Sequence, residues 1–434
     1  MKKIGKALVL WVLKFQLQQL LAKHPVKVVG VVGSYGKTST KLALTTVLAQ
    51  GMRVRYQEGN YNDIVTVPLI FFGEELPSLL NATAWTKIFI RNHCQIKQEY
   101  PYDVVVVELG TDGPGQIAAF ERYLQLDIAV VTAIAYEHME FFTDVAAVAS
   151  EELAVIDYSK RTIVNRDLCA AQYIGDNKVT TYGNNGGDYQ IVSARPQGLD
   201  LAFTVNKFGA AYLQATCFNS SLAVLYSAAA SAAVGDALGM SPAAIAAGIA
   251  AIQPAAGRMR RFAGQQGSII LDDSYNASPE AVKAALDTLY AIDAPHKVVV
   301  LGNMNELGSF APAAHTDIGE YCDPNQLTEV LTLGPDANKY TAQAARQKGC
   351  SVSEFTSPYA AGQHLASLLQ PGTVVLIKGS QNRVFAEEAV KTILADSADA
   401  TQLVRQSPYW LALKAKQFND AKPAVLADHT TATS

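Results

Sequence analysis

The chain has few cysteines for its length: five in 434 residues, at positions 94, 169, 217, 322 and 350. None stands in a C-x-x-C pair, which excludes a disulfide framework and a zinc ribbon and points to a reducing compartment. Net charge is also scarce, at −4 near neutral pH. That argues against a general nucleic-acid binder, so an anionic substrate would need a local basic pocket. No apolar run reaches the ~18 residues that a membrane-spanning helix requires. Internal repeats are missing too, which excludes a solenoid. What the chain does have is apolar content, 49% of its residues, enough for a globular protein of two or three domains.

The most informative segment runs from Val28 to Thr40. A β-branched run, Val28-Val29-Gly30-Val31-Val32, meets Gly33-Ser34-Tyr35-Gly36-Lys37-Thr38-Ser39. Leu42, Leu44, Val47 and Leu48 then follow at helical spacing. Strand, glycine-rich turn and helix in that order make a phosphate-binding P-loop. Gly33 and Gly36 let backbone amides close around phosphate oxygens, Lys37 reaches the outer phosphates, and the Thr38 hydroxyl can hold Mg2+. The strict pattern has a glycine where this chain has Val31, so an ordinary glycine-rich turn before a helix is the alternative.

Further along, Tyr102–Leu109 is a continuous apolar run capped by an acid, Glu108. Such runs belong to parallel strands buried on both faces. Residues 128–132 and 162–164 repeat the type, with helical patterns between, so the region reads as a mostly parallel, doubly wound α/β sheet. Residues 222–252 are Ala-rich and helical. A second, smaller Rossmann-like α/β pattern begins near residue 258. Its strands are expected at 268–272, 297–301, 329–333 and 373–377, with a helix over 279–289. Gln253–Gly257 is a plausible hinge. The expected organisation is an N-terminal helix (1–25), a central ATP-binding domain (26–257), a C-terminal α/β domain (258–416) and a tail (417–434).

Ligands of doubly wound sheets sit beyond the carboxyl ends of the strands. Glu108 ends one strand and can face a Mg2+ ion, which prefers hard oxygen ligands. His138 follows the next strand and is a second metal candidate, although a lone histidine is more often structural.

The N-terminus reads as a basic amphipathic helix over residues 3–23. Lys2, Lys3 and Lys6 precede an apolar run interrupted by Lys14. It either packs on the protein or rests on an anionic membrane surface. A cleaved signal is the weakest option, because no small-residue cleavage site follows.

Taken together, these residues resemble the Mur ligases, ATP-dependent enzymes that join an amino acid or peptide to a nucleotide-sugar wall precursor. The pieces that carry the resemblance are Gly33–Ser39, Gly59-Asn60-Tyr61-Asn62 with Val67-Pro68, Glu108-Leu109-Gly110 and His138-Met139-Glu140. Gly257-Arg258-Met259, Asp272–Pro279, Leu301–Gly308 with His315, and Lys378-Gly379-Ser380 complete the set. The likeness spans residues 26–395 and is nearest to the type that adds a D-alanyl-D-alanine dipeptide to a UDP-linked tripeptide.

The resemblance implies roles. Gly33, Ser34, Tyr35, Gly36, Lys37, Thr38 and Ser39 would hold the ATP phosphates. Thr38 and Glu108 would bind one Mg2+, and Glu108 with His138 a second. Asn60 would lie near the phosphates and the acceptor, with Asn62 beside it. Arg258 would reach the phosphates, and Asp273 and Asn276 would face the nucleoside. Lys378 and Ser380 would lie near the incoming amine. Lys37, Glu108, His138 and Arg258 are thus the expected catalytic set, with ATP and two Mg2+ as the cofactors. A cytoplasmic monomer without nucleic-acid partners is expected.

The sequence departs from the family pattern in three places. A carbamylated lysine usually stands fourteen residues after the histidine, where this chain has Glu152. Glu152 would serve as a native anion in its place, with Glu151 the neighbouring candidate. Ser227 stands where an asparagine usually faces adenine. Fewer than thirty residues precede the first expected strand, too few for the family's separate nucleotide-sugar-binding domain, so that domain is not expected here. The expected activity is amide-bond formation through an acyl phosphate, protected from water as two domains close. The alternatives are a related ligase on another acceptor (folylpolyglutamate, poly-glutamate or lipid-linked) and a non-catalytic ATP-binding partner.

Overall fold

The computed structural model describes residues 2–57, 59, 61–135, 141–197, 200–218, 222–305, 307–381 and 383–418, with side chains from residue 6 onward. Asn60 and His138, both expected site residues, lie outside the described residues, as does the tail from residue 419. The chain forms two compact units that divide between Gln253 and Pro254, within the expected hinge stretch.

The first unit is built on a nine-stranded sheet in the order β2-β3-β1-β4-β5-β6-β7-β8-β9. Its strands are β1 (Lys27–Val32), β2 (Val54–Arg55), β3 (Val104–Glu108), β4 (Ile128–Val131), β5 (Thr162–Asn165), β6 (Thr180–Gly183), β7 (Tyr189–Gln197), β8 (Asp200–Lys207) and β9 (Ala210–Phe218). All pairings are parallel from β2 to β7, and the β7-β8-β9 edge is antiparallel. Its helices are α1 (Lys2–Lys23), α2 (Lys37–Leu48), α3 (Thr66–Phe72), α4 (Ala82–Lys97), α5 (Val145–Leu153), α6 (Ala171–Ile174), α7 (Leu222–Ala237) and α8 (Pro242–Ala250).

The valine runs form strands because both sheet faces are covered. Val29, Val31, Val104, Val106 and Val130 pack with Leu44, Val47 and the alanines of α7 on one side. Val28, Val32, Val105, Val107 and Val131 pack with Leu17, Leu20, Phe71 and Tyr158 on the other. Successive residues alternate between two cores, so the interior positions of β1, β3 and β4 are apolar and polar residues stand at strand ends, as Lys27 and Glu108 do. Only small side chains let α7 approach closely, which accounts for its Ala-rich sequence. Helix α1 packs on this unit through Val9, Leu13, Leu17 and Leu20.

The second unit holds a six-stranded sheet in the order β10-β11-β15-β12-β13-β14. The strands are β10 (Arg260–Ala263), β11 (Ile269–Asp273), β12 (His296–Gly302), β13 (Glu329–Leu333), β14 (Val352–Phe355) and β15 (Thr373–Lys378). Only the β10 edge is antiparallel. Its helices are α9 (Pro279–Ala291), α10 (Ala311–Tyr321), α11 (Ala342–Gln347), α12 (Pro358–Leu368), α13 (Glu387–Ile393) and α14 (Pro408–Phe418). Among the described residues, no helix is long and apolar enough to cross a membrane.

Candidate active site

The phosphate loop follows from local sterics. β1 ends at Val32, and the chain turns through Gly33 (φ 127°) and Gly36 (φ 82°) before α2 begins at Lys37. These left-handed angles favour glycine. A Cβ on Gly33 would also strike Thr132 Oγ1 and come within 2.9 Å of the Ala133 backbone. The segment after β4 holds the loop in place. Thr132 Oγ1 lies 3.0 Å from the Val32 carbonyl and 2.6 Å from that of Tyr35. Ser34 donates its amide to Ala133 O at 2.9 Å, and its hydroxyl accepts the Ala135 amide at 3.0 Å. No side chain caps the twelve-residue α2, so the positive end of its dipole and its first amides favour an anion there.

Glu108, at the carboxyl end of β3, accepts from Thr38 Oγ1 at 3.0 Å. Lys41 Nζ stands 3.3 Å from the same Glu108 oxygen. Lys41 is 2% exposed and Glu108 6%. Lys37 folds its ammonium back onto the carbonyls of Gly33 and Ser34. Tyr35, Gly36 and Thr38 are exposed, and Ser39 is half-buried. Sequence reasoning missed Lys41. The signal was a second lysine four residues after Lys37, one helical turn further on.

Asn62 is held against the segment that follows β3. Its carbonyl accepts the Gly110 amide at 2.8 Å, and a Cβ at position 110 would lie 2.6 Å from Asn62 Nδ2. The glycine of Glu108-Leu109-Gly110 is therefore what lets Asn62 stand beside Glu108's strand.

Helix α5 carries the two expected substitutes for the family's lysine. Glu152 is fully buried, and its Oε2 accepts the Gly33 amide at 2.8 Å. Glu151 points elsewhere. It accepts from Thr111 Oγ1 (3.1 Å), the Gly115 amide (2.5 Å) and the Ile117 amide (2.7 Å), pinning the 111–117 segment. Ser227 on α7 is buried, gives its hydroxyl to Ala223 O at 2.9 Å, and lies 3.4 Å from Thr40 Oγ1.

In the second unit, β11 and β15 are parallel neighbours with Asp273 opposite Lys378. Lys378 Nζ meets Asp273 Oδ2 at 2.6 Å and the Asn276 carbonyl at 2.9 Å. Asp273 Oδ1 accepts the Met259 amide at 3.1 Å. Burial raises the Asp273 carboxyl above its ordinary value, against the opposing pull of Lys378. Lys378 is 3% exposed and Ser380 1%. Ser380 donates to Ala277 O at 3.2 Å and accepts the Asn305 amide at 2.9 Å. Asn276 Oδ1 accepts the Ala277 amide at 2.9 Å and the Gln381 amide at 3.4 Å. These residues therefore knit the strand ends of one sheet together. Arg258 lays its guanidinium 4.3 Å from the centre of the Tyr275 ring.

The donor set suits a nucleoside triphosphate with Mg2+. The loop offers amides and a lysine to phosphate, and Thr38 Oγ1 and Glu108 Oε2 form a hard-oxygen pair. Among the described residues, no three His, Cys, Asp or Glu side chains cluster for a metal without such help.

Comparison with known proteins agrees with this geometry. Residues 31–214 match the Mur ligase middle domain and residues 257–381 the Mur ligase glutamate ligase domain. The UDP-N-acetylmuramoyl-tripeptide–D-alanyl-D-alanine ligase of Synechocystis sp. is 28% identical over 385 residues, covering 86% of this chain and 76% of that one. The Bacillus subtilis enzyme of the same name is 27% identical, covering 87% and 79%. Among solved structures, MurF from Acinetobacter baumannii superposes with a TM-score of 0.67 at 20% identity, over 92% of this chain and 80% of that one. MurF from Thermotoga maritima, in complex with ADP, gives 0.59 at 24% identity, over 88% and 83%. At these identities the structural likeness speaks for the fold, while the two sequence matches fall on the halves that carry the phosphate loop and the Asp273 strand ends: the chain belongs to the Mur ligase family.

Proposed function

We propose that this chain is an ATP-dependent amide-bond ligase of wall-precursor synthesis. It adds D-alanyl-D-alanine to a UDP-N-acetylmuramoyl-tripeptide-like acceptor and releases ADP and phosphate. The observation that carries the reading is the Gly33–Thr38 loop, with Thr38 Oγ1 3.0 Å from Glu108 Oε2.

A carboxylate is a poor electrophile. In the proposed reaction the acceptor carboxylate oxygen attacks the γ-phosphorus of ATP, and ADP leaves. The amine nitrogen then attacks the acyl carbon, loses a proton, and phosphate departs. The residues of this chain offset the charge that gathers. Amides at Gly33–Ser39 and the start of α2 hold the phosphates, and Lys37 swings from the Gly33 and Ser34 carbonyls to the outer phosphate. Thr38 and Glu108 would hold Mg2+, with His138 and Glu152 proposed for a second ion. The ions supply neutralisation of the triphosphate as charge redistributes. Asn60, Asn62 and Arg258 are proposed for substrate and phosphate contacts, and Asp273 and Asn276 for the nucleoside side. Lys378 and Ser380 hold the strand ends that would bear on the amine. ATP is a cytosolic resource, so the proposed setting is the cytoplasm, and the proposed working form is a monomer.

A folylpolyglutamate synthase from Thermotoga maritima also superposes with a TM-score of 0.59, over 95% of its own length at 14% identity, so the test must include other acceptors. Phosphate release is measured with Mg2+-ATP, D-Ala-D-Ala and a UDP-linked tripeptide, together and singly. Release that requires both substrates is expected, with the UDP-pentapeptide seen by mass spectrometry. Turnover only on a folate or glutamate acceptor would move the chain to a sister activity. ATP binding without turnover on any acceptor would overturn the enzymatic reading.

A further inference from the structure

Helix α1 is apolar on two opposite sides. Val9, Leu13, Leu17 and Leu20 face the first unit. On the other side, Leu8, Trp11 and Phe15 are 62%, 65% and 50% exposed. Their spacing of three and four residues makes one stripe along the helix. The Trp11 and Phe15 rings stack, with centroids 6.1 Å apart. Single exposed apolar residues are ordinary, but an aligned stripe with two large aromatics marks a contact surface.

The charge on the helix itself is of one sign. Helix α1 contains five lysines and no aspartate or glutamate. Three of the lysines, Lys2, Lys3 and Lys6, fall in its first turns. Helix α4 runs beside α1 in the same direction. Gln16 Nε2 donates to Phe89 O, Asn92 Nδ2 to Gln16 Oε1, and Lys23 Nζ to Ile96 O, so partners are consistently 73 or 76 residues apart. That offset sets the beginning of α4 level with the early turns of α1. The exposed Leu79 and Leu80, just before α4, therefore lie at the lysine-rich end.

We propose that this face docks on an anionic phospholipid surface, with α1 lying in the plane of the interface. Leu8, Trp11 and Phe15 enter the boundary between headgroups and acyl chains, Leu79 and Leu80 extend the apolar contact, and the net positive charge of the first turns attracts the helix to the lipid phosphates. A stripe this narrow binds only reversibly, so the cationic turns are the necessary second signal. A second copy of the chain is the poorer occupant, because α1 offers its counterpart no acid to meet the lysines. The proposal goes beyond the ligase reading and does not depend on it.

The test is co-sedimentation of the full chain with phosphatidylcholine vesicles, with and without phosphatidylglycerol. Binding is expected only to the anionic vesicles. Trp11→Ser with Phe15→Ser should lower the partition coefficient about tenfold or more, with the thermal midpoint unchanged. Each of Lys2→Gln, Lys3→Gln and Lys6→Gln should lower it about fivefold. Failure to bind anionic vesicles, or equal binding by the Trp11/Phe15 variant, would overturn the proposal. So would self-association of the parent chain, seen by analytical ultracentrifugation and abolished in that variant, because the face would then be a dimer contact.

Discussion

Lys41 Nζ lies 3.3 Å from Glu108 Oε2, with both side chains almost sealed from solvent. The protein thus compensates, from within helix α2, the charge of the carboxylate proposed to hold Mg2+. Removing one member of a buried pair leaves the other uncompensated. Lys41→Met should cost roughly 3–5 kcal/mol of stability in urea unfolding. A loss under about 1 kcal/mol, the range of an exposed pair, would show that water compensates Glu108 instead.

Glu151 and Glu152 are neighbours with separable tasks. Glu151 fixes the 111–117 segment through three hydrogen bonds, so Glu151→Gln should cost about 1.5–3 kcal/mol, read from denaturant midpoints. Glu152→Gln keeps an oxygen that can accept the Gly33 amide and should fold normally. Its expected defect is a raised Mg2+ requirement for phosphate release, read by metal titration at saturating ATP. An unchanged titration would remove Glu152 from the proposed metal site.

Asp272 is buried on β11, and burial pushes its carboxyl up to about 6 from 3.8. The folded chain therefore holds that proton more tightly than the unfolded chain does. Stability is unpenalised below about pH 4 and falls as pH rises through 6. Asp272→Asn should be neutral below pH 4 and stabilising above pH 6, by about 3 kcal/mol. Urea unfolding at pH 4 and pH 8 checks this. Greater stability of the parent at pH 8 would mean that the carboxylate is held ionised.

In the second unit, Lys414 on α14 meets Glu387 at 2.8 Å and Glu388 at 2.6 Å, all three buried. Arg405 grips Glu387 at 2.7 Å. Lys414→Met leaves Glu387 to Arg405 and buried Glu388, among the described cations, only to the exposed Lys391 at 4.0 Å, and roughly 3–5 kcal/mol should be lost. Charge-reduced Lys414→Met with Glu388→Gln should recover part of it. The double variant being no better than the single would assign the loss to packing.

Much of this was legible in the sequence. The valine runs marked strands buried on both faces, and Gly33-Ser-Tyr-Gly-Lys-Thr marked the loop, because close backbone approach and a left-handed turn demand particular residues. The antiparallel edge from β7 to β9 was not read. Its strands are half-buried, alternating along β8, Asp200–Lys207, rather than continuously apolar. Its tight turn, Phe208-Gly209, takes positive φ at both residues (48° and 83°) without the asparagine that usually signals such a hairpin. Lys41 and Lys378 were opaque for another reason. A lysine in sequence looks like a solvated charge or a substrate contact, and only the fold shows it 2–3% exposed against an acid.

Arg405 also donates to the carbonyls of Ser274 (2.6 Å) and Tyr275 (3.2 Å), and the Tyr275 ring is the platform under Arg258. The beginning of this unit is thus finished by its end. During synthesis, the turn after β11 emerges 130 residues before its clamp, so these carbonyls wait for Arg405 until that residue has been made. Premature termination upstream of residue 405 would therefore leave unclamped a turn encoded near residue 275, which no inspection of the truncated message would reveal.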